Sequence, residues 1–227
     1  MIRLPRSAVR ALAALLVAAS ACARREVEPV RGPAPAAVPA AVPAPVPAVP
    51  LRALADTLIR LGLEDQARRQ ELPRAVAAND TAFVLGLMRA DSARTARLRA
   101  IVRAHGWPVR TLVGDSAAKA AWLILQHSPL LEFQREVLPL LEAAAARGDV
   151  QRSEVALLTD RVRVRSGQPQ LYGSSFQMVN GRMQADPIED LAHLDARRAA
   201  TGLPPMAEYI RGLGEAYHVP VVWPPKP

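Results

Sequence analysis

The chain has 227 residues and a formal net charge of +8, and 50% of its residues are hydrophobic. A chain of this length can hold two domains, but roughly its first 50 residues differ in composition from the rest. The remaining stretch of about 170 residues is predicted to form one domain. The positive charge is almost all arginine, since lysine occurs only at Lys119 and Lys226, and aromatic residues make up 4%. Without aromatic stacking platforms or a dense basic tract, the composition argues against a nucleic-acid-binding protein.

The first 21 residues have the pattern of an export signal. "MIRLPRSAVR" is basic, "ALAALLVAAS" is apolar, and small residues follow up to Cys22. A helix that spans a bilayer needs about 20 apolar residues, and this run is much shorter. The sequence therefore predicts a signal peptide over residues 1–21 rather than a membrane span.

Cys22 is the only cysteine in the sequence, so it cannot form an internal disulfide. Ala19-Ser20-Ala21-Cys22 resembles the bacterial lipoprotein signal, in which the cysteine is lipidated, although leucine is usual where Ala19 stands. The next residue is Ala23, and the resemblance to Gram-negative lipoproteins then implies an anchor in the outer membrane, on the periplasmic side. The alternative is cleavage as a plain secretory signal, which gives a soluble periplasmic or secreted protein.

Residues 22–50 are rich in proline and alanine, with proline at nearly every second to fourth place after Glu26. Proline fixes φ and removes a backbone donor, so the segment predicts an extended, disordered tether rather than a helix or strand. A proline-rich ligand for a partner's aromatic groove is the alternative, but no flanking charge pattern marks one. The domain is then predicted to occupy residues 51–227.

The first two helices of the domain are predicted from periodicity. "LRALADTLIRLGLEDQARRQEL" places Leu51, Leu54, Leu58, Leu61 and then Ala67 on one stripe, with charged residues opposite. "DSARTARLRAIVRAHG" repeats this pattern, and its final glycine is a helix stop.

A central helix and its successor follow. "GDSAAKAAWLILQHS" begins at Asp115 or Ser116 as cap, and it is apolar nearly all round from Ala117 to Leu125, which predicts a buried helix. "PLLEFQREVLPLLEAAAARGD" has Pro129 at a favoured first-turn position and Pro139 in its interior, where a kink is expected.

The last third of the chain changes from helix to strand and back. "SEVALLTDRVRVRSG" predicts a helix to about Arg165, and Asn180-Gly181 predicts a two-residue hairpin turn. Two more helices follow, with Gly202 as a stop and Pro205 as a start. The predicted fold is mainly α, a single domain of about six or seven helices with one small β-hairpin near residues 170–185.

Several motifs resemble one bacterial family. They are "GWP", "AAWLILQH", "EFQREVLPLLE", "LTDRV", "GQPQLYG" and "DPIED" with "LDARRAATGLPPMAEY". In this order they are similar to the proteins grouped as domain of unknown function 6624, over about residues 90–210. The family's tyrosine-glycine is usually followed by Thr-Gln, whereas Gly173 here precedes Ser174 and Ser175. The resemblance implies the fold and carries no activity.

His127 closes the predicted central helix, where the helix dipole favours an imidazolium. It can act as an acid or base, or it can cap the last carbonyls before Pro129. The other three histidines are scattered without metal-ligand spacing, and a second cysteine is missing. The sequence therefore predicts neither a metal site nor a cofactor.

A second group of candidates is charged. Aspartates and arginines on two helices can form bidentate pairs that fix helix packing. The alternative is that Arg161 or Arg198 clamps an anionic ligand, with glutamine and tyrosine side chains around it. The candidate ligand-binding residues are His127, Gln134, Asp160, Arg161, Gln170, Tyr172, Asp195 and Arg198.

The segment "LTDRVRVRSGQPQLYGSSF", residues 158–176, joins a helix end to the hairpin. Its backbone groups need side-chain partners such as Gln168, Gln170 and Asp160, so the polar residues predict a tied corner that can double as a site.

Two functions remain open. The first is an envelope lipoprotein, anchored in the membrane through lipid at Cys22, whose helical domain binds a protein partner or a small anionic ligand and not nucleic acid. The second is a hydrolase-like enzyme with His127 as base and Arg161 or Arg198 as anion clamp. The sequence holds no nucleophile elbow, phosphate loop or diagnostic carboxylate pair, which favours the binding module and leaves enzymatic activity undecided.

Overall fold

The computed structural model describes residues 48–225, and within this range the fold is mainly α, as predicted. The signal peptide, Cys22 and most of the tether lie outside the described residues. The helices are α1 (Ala48–Ala77), α2 (Thr81–His105), α3 (Arg110–Val113), α4 (Asp115–Gln126), α5 (Leu131–Ala146), α6 (Arg152–Arg165), a 3-10 turn (Leu191–His193), α7 (Leu194–Ala200) and α8 (Met206–Tyr217). The strands are β1 (Phe176–Val179), β2 (Arg182–Ala185) and β3 (Val221–Val222). In the described part of the chain this makes eight α-helices, against six or seven predicted.

α1 and α2 form a long antiparallel hairpin. α1 begins at Ala48, so Pro50 lies in its first turn, where a missing N–H costs little. α2 begins at Thr81 because the side chain of Asp80 accepts a hydrogen bond from the N–H of Phe83 at 2.9 Å. It ends at Gly106, as predicted.

α4 is the central helix of the main core, which confirms the prediction from its apolar run. Trp122, Ile124 and Leu125 are almost fully buried and pack with leucines of α1, α2 and α5. Gly114 occupies the N-cap of α4, so neither predicted side-chain cap is used. Pro129 was expected in the first turn of α5, but it lies one residue before the N-cap, Leu130. The N–H of Leu130 donates to the hydroxyl of Ser128.

Helices α1 and α4 approach each other closely at Gly62. A Cβ added there would lie 2.6 Å from the Cβ of Ala120, so Gly62→Ala must push the two helices apart. We expect the free energy of unfolding to fall by about 1 to 3 kcal/mol in urea titrations. Gly86→Ala in α2 is the matched control, because its Cβ would meet only the mobile Arg68 Nη2 at 3.6 Å. It should gain up to about 1 kcal/mol of helix propensity, and equal effects at both sites would contradict the close approach.

The predicted hairpin is confirmed, with Asn180 and Gly181 at φ of 49° and 75° in its turn. The sequence did not reveal β3, which pairs parallel to β2 through Met183 and Val221. The sheet packs on α7 and α8 around a second core, whose buried members are Phe176, Met183, Ala185, Leu194, Met206, Tyr209 and Leu213. Over residues 48–225, no helix is both long and apolar enough to cross a bilayer.

Candidate functional site

Asp160 ties the corner between α6 and the hairpin. Its fully buried carboxylate accepts the N–H groups of Leu171, Tyr172 and Ser174 at 2.7 to 2.9 Å, and the Ser174 hydroxyl at 2.8 Å. Burial raises the pKa of Asp160, and these hydrogen bonds lower it part of the way back. The bonds therefore hold the chain over residues 171–174 against α6.

Gln170 completes this corner. Its amide donates to the carbonyls of Ser175 and Asp186 at 3.0 and 2.9 Å, and its carbonyl accepts the N–H of Ser175 at 2.8 Å. Both ends of the buried side chain are thus used. The sequence predicted that Asp160 and Gln170 would serve the backbone here, and this is confirmed, whereas Gln168 is exposed.

The charged candidates on α7 also bind backbone groups. Asp195 accepts the N–H of Met206 at 2.7 Å, and Arg198 donates to the carbonyls of Pro204 and Tyr172 while its guanidinium stacks on Tyr209. The sequence predicted aspartate–arginine pairs between helices. The structure shows instead that Asp160 and Asp195 are bound to backbone N–H groups, because the loop between α6 and α8 leaves such groups to be satisfied.

The backbone of Tyr172 is bound by Asp160 and Arg198. Tyr172 is half-buried and lines a cleft of about 300 Å³ with Glu142, Arg152, Val155 and Thr201. The residues that line this cleft do not include His127 or Arg161, so this cleft does not bring all of the predicted site residues together.

His127 occupies the C-cap of α4 and its side chain is 2% exposed, but its ring contacts Asp65 and Arg69 and does not cap the last carbonyls of the helix, which was one of the two expectations. Its Nδ1 lies 2.8 Å from Asp65 Oδ2 and 2.8 Å from Arg69 Nε. The carboxylate beside the ring belongs to Asp65 of α1, because α1 packs directly on α4.

Asp65 and His127 belong to a buried charge cluster with Arg69, Asp91 and Arg94. Arg69 forms ion pairs with Asp65 at 3.0 Å and with Asp91 at 2.7 Å, and Arg94 pairs with Asp91 at 2.6 Å. These side chains are 0 to 6% exposed. Two carboxylates and two guanidiniums balance, so the cluster is neutral when His127 is neutral.

The charges set the protonation of Asp65 and His127. Burial by itself would raise the pKa of Asp65, but the hydrogen bonds and charges of His127 and Arg69 outweigh it and hold that pKa well below its usual range. Burial lowers the pKa of His127, and the positive charges of Arg69 and Arg161 add to this, although Asp65 opposes them. Asp65 is therefore ionised and His127 neutral at pH 7.

Asp65 and Arg69 compete for Nδ1 of neutral His127: Arg69 Nε donates to a bare Nδ1 at 2.8 Å, whereas Asp65 Oδ2, also at 2.8 Å, accepts from a protonated one. If Nδ1 were bare, its lone pair would face the Asp65 carboxylate at 2.8 Å. A proton on Nδ1 makes this contact a charge-assisted hydrogen bond, and Arg69 Nε can donate to Asp65 Oδ2 at 3.1 Å. The Nε2 atom is then a lone-pair acceptor.

Some buried polar atoms near the cluster have no hydrogen-bond partner among the described residues. They are Arg69 Nη1, Arg94 Nε, Thr95 Oγ1, Gln126 Nε2 and His127 Nε2. An unpaired buried polar atom costs about 1 to 3 kcal/mol, so such a concentration is unusual for a purely structural core.

Two further candidates, Arg161 and Gln134, contact residues at the carboxyl end of α4. Arg161 Nε donates to Gln126 Oε1 at 2.8 Å. Burial and the nearby charges of Arg165 and Arg69 lower the pKa of Arg161 to about 10. Gln134 is buried and donates to the carbonyl of Leu125 at 2.9 Å, while its own carbonyl accepts Arg165 at 2.7 Å. Gln134 is thus fully used in joining α4 to α5 and α6.

The model of a family of unknown function, DUF6624, matches residues 52–222. The chain belongs to this family. The match confirms the resemblance and extends beyond residues 90–210 on both sides, so it includes most of α1 and the whole charge cluster. No curated protein and no solved structure matches the chain.

Four residues of the cluster in this DUF6624 domain were not predicted from the sequence: Asp65, Arg69, Asp91 and Arg94. A signal was present, because the buried stripe of α1 passes through Leu61, Asp65, Arg69 and Leu72, and that of α2 through Leu87, Asp91, Arg94 and Leu98. Ala67, which was assigned to the stripe of α1, is exposed. Charged residues at helical spacing within an apolar stripe indicate a buried network.

The site has the chemistry of hydrogen bonding and proton acceptance. His127 supplies an acceptor, Gln126 supplies a donor, and the nearby guanidiniums supply positive charge. Among residues 48–225, no group of three histidine, cysteine or carboxylate side chains could hold a metal ion.

The protonation of His127 makes stability depend on pH. In the unfolded chain this histidine is protonated below its ordinary pKa of 6.5. In the folded protein the pKa of His127 is lowered, so His127 stays neutral at a pH where the unfolded chain has already bound the proton. The contribution of His127 to the free energy of unfolding is thus fully present above about pH 6.5 and is lost as the pH falls below that value. We expect the free energy of unfolding of His127→Asn to vary less than that of the parent between about pH 7 and 5 in urea titrations. Parallel pH profiles would contradict a neutral His127.

Proposed function

We propose that this chain is an envelope lipoprotein whose helical domain is a binding module. The support for export and anchoring is the sequence: a signal-like segment over residues 1–21, Cys22 at the cleavage site, and a proline-rich segment up to the domain. The domain would then face the periplasm from the outer membrane. Its ligand is a small anionic molecule or a protein partner.

The single observation that carries the binding role is the pair of unpartnered atoms at Gln126 and His127. Both side chains are buried, at 2% and 6% residue exposure, and both leave an Nε2 atom unused within the described structure. A ligand that forms hydrogen bonds with these two atoms would remove the cost of leaving them unpaired, and this favours binding.

The test of the binding role uses the full chain from the cells that make it. Native mass spectrometry should show a small molecule on the parent protein and not on His127→Asn, while a pull-down from the envelope identifies any protein partner. The proposal falls if the parent carries neither.

One observation favours the enzymatic alternative, a hydrolase-like reaction with His127 as base. Asp65 accepts the Nδ1 proton and so leaves Nε2 able to take a proton from a water molecule. Arg161 is the anion clamp in this alternative because it lies against Gln126, next to His127 in the chain, whereas Arg198 binds the carbonyls of Tyr172 and Pro204. Burial of Nε2 opposes this reading, because a reacting water needs access. Turnover of ester or amide substrates that His127→Asn abolishes would establish it.

The lipid anchor gives a separate prediction. We expect the parent protein to incorporate a palmitate analogue and to sediment with membranes, because lipidation at Cys22 supplies the apolar chains that hold it there. Cys22→Ser should be exported but unlabelled and soluble. An unlabelled parent would remove the lipoprotein proposal and leave the plain secretory alternative.

A further inference from the structure

The cleft beside Tyr172 lies between α5 and α6. Alanines of both helices and Val155 line it, and because these side chains are small they leave a space of about 300 Å³. This volume lies at the lower end of the range of ligand sites in proteins. At about 30 Å³ for each water molecule of the liquid, it corresponds to about ten non-hydrogen atoms. The cleft can therefore hold a small ligand rather than a protein segment.

Two opposite charges line the same cleft. Glu142 lies on α5, and Arg152 is the first residue of α6. Among the described residues, neither side chain has an ion pair or a hydrogen-bond partner, and both are exposed to water. A ligand can therefore bind both charges without first breaking an existing pair. A molecule that matches them carries a positive and a negative group.

The positions of the two charges set the length of the ligand. Glu142 precedes Ala146 at the end of α5 by four residues, which is about 6 Å along a helix. Arg152 lies beyond the connecting loop, residues 147–151, at the same end of the groove as Ala146. The carboxylate is thus about one helical turn from the end of the groove at which the guanidinium lies. Two extended amino acid residues span about 7 Å, so the two ends of a dipeptide match this separation.

Tyr172 adds a neutral hydrogen-bonding group near Glu142. Burial raises the pKa of the Tyr172 hydroxyl, and the negative charges of Asp160 and Glu142 add to this, although Arg197 opposes them. The hydroxyl is therefore protonated at pH 7, and within the described part of the chain it has no hydrogen-bond partner. It can donate a hydrogen bond to the peptide carbonyl of a ligand.

We propose that this cleft binds a zwitterionic dipeptide with small apolar side chains. Its ammonium group pairs with Glu142, its carboxylate accepts hydrogen bonds from Arg152, and its side chains contact Val155 and the alanines. A simple anion leaves Glu142 unmatched, and an uncharged apolar ligand leaves both charges unmatched. Gln126 and His127 do not line the cleft, so this site goes beyond the binding role proposed above and does not depend on it.

Calorimetry with three dipeptides tests the assignment on the full-length chain in detergent. Alanyl-alanine carries both charges, N-acetyl-alanyl-alanine lacks the ammonium group, and alanyl-alanine amide lacks the carboxylate. The parent should bind alanyl-alanine saturably. It should bind each blocked peptide about two- to fivefold more weakly, which is the contribution of one exposed ion pair.

Two variants assign each charge of the cleft to one end of the peptide. In Glu142→Gln the preference for the free ammonium group should disappear, while the amide still binds more weakly. In Arg152→Gln the preference for the free carboxylate should disappear instead. Glu132→Gln is the matched control, because Glu132 is exposed on the same helix and lies ten residues, about 15 Å, from Glu142. It should keep both preferences of the parent.

Ala146→Trp tests whether the peptide lies in the cleft. Ala146 lines the cleft and is exposed, so the indole ring occupies the space without entering the core. Alanyl-alanine should no longer bind, while the melting temperature should stay that of the parent.

Three results overturn the proposal: a parent that shows no saturable binding of alanyl-alanine, a preference for the free ammonium group that survives in Glu142→Gln, or an Ala146→Trp variant that binds as the parent does. His127 takes no part in these measurements, so the binding role proposed for His127 stands or falls separately.

Discussion

Asp160→Ala is expected to lower the free energy of unfolding by about 3 to 5 kcal/mol. The carboxylate satisfies three backbone N–H groups and the hydroxyl of Ser174, and alanine leaves all four without their acceptor. Each orphaned buried donor costs about 1 to 3 kcal/mol, although water can reach those of Leu171 and Tyr172, which are half-buried. Urea unfolding followed by circular dichroism measures the loss.

Two neighbours serve as controls for Asp160. Tyr172→Phe removes a hydroxyl at the edge of the cleft and should cost no more than about 1 kcal/mol, and Ser174→Ala removes one of the four bonds and should cost a similar amount. If Asp160→Ala is as stable as the parent, the corner does not depend on its carboxylate, and a ligand-binding role for Asp160 gains support.

The helix ends and the hairpin turn of this domain could be predicted from the sequence, because they depend on residues that are close together in the chain. Gly106 ends α2 and Asn180-Gly181 turns the hairpin, since each is the residue type that the positive φ requires. The need for side-chain partners around residues 168–175 was also predictable, because a helix end and a strand start leave backbone groups unpaired.

The charge cluster was harder to predict because its partners are distant in sequence. Asp65 meets His127 across 62 residues, and Arg69 meets Asp91 across 22. Which faces of α1, α2 and α4 meet depends on packing, such as the close approach at Gly62, and single-helix periodicity does not contain this information. The assignment of Ala67 to the core rather than Asp65 has a different cause, because an apolar residue was preferred to a charged one that continues the helical spacing of Leu58 and Leu61.

α6 connects the two polar regions. Asp160 and Arg161 are adjacent on this helix, yet the first binds the corner over residues 171–174 and the second binds Gln126 beside His127. Successive residues on a helix point about 100° apart, so one turn of α6 can serve both regions. The corner therefore positions the helix that carries Arg161, so the residues of the corner help to hold Arg161 beside Gln126.

Asp65→Ala is the second change with a large expected effect, a loss of about 3 to 5 kcal/mol in the free energy of unfolding. It removes one carboxylate from a buried set of two acids and two arginines, leaving a net positive charge and an unpaired Nδ1–H on His127. Breaking a buried ion pair from one side costs this much because the remaining charge stays desolvated. Asp56→Ala on the same helix is exposed and should change stability by less than about 0.5 kcal/mol.

A double variant separates the loss of charge balance from the loss of packing. Asp65→Leu with Arg69→Met removes one charge of each sign and leaves Asp91 paired with Arg94 at 2.6 Å. We expect it to be more stable than the sum of the two single variants predicts, by about 1 to 3 kcal/mol in a double-mutant cycle. Additive effects, or an Asp65→Ala variant as stable as Asp56→Ala, would show that the carboxylate is not held against Arg69 in a water-free core. The pH profile of the double variant should still carry the contribution of His127, since burial is the main cause of its lowered pKa.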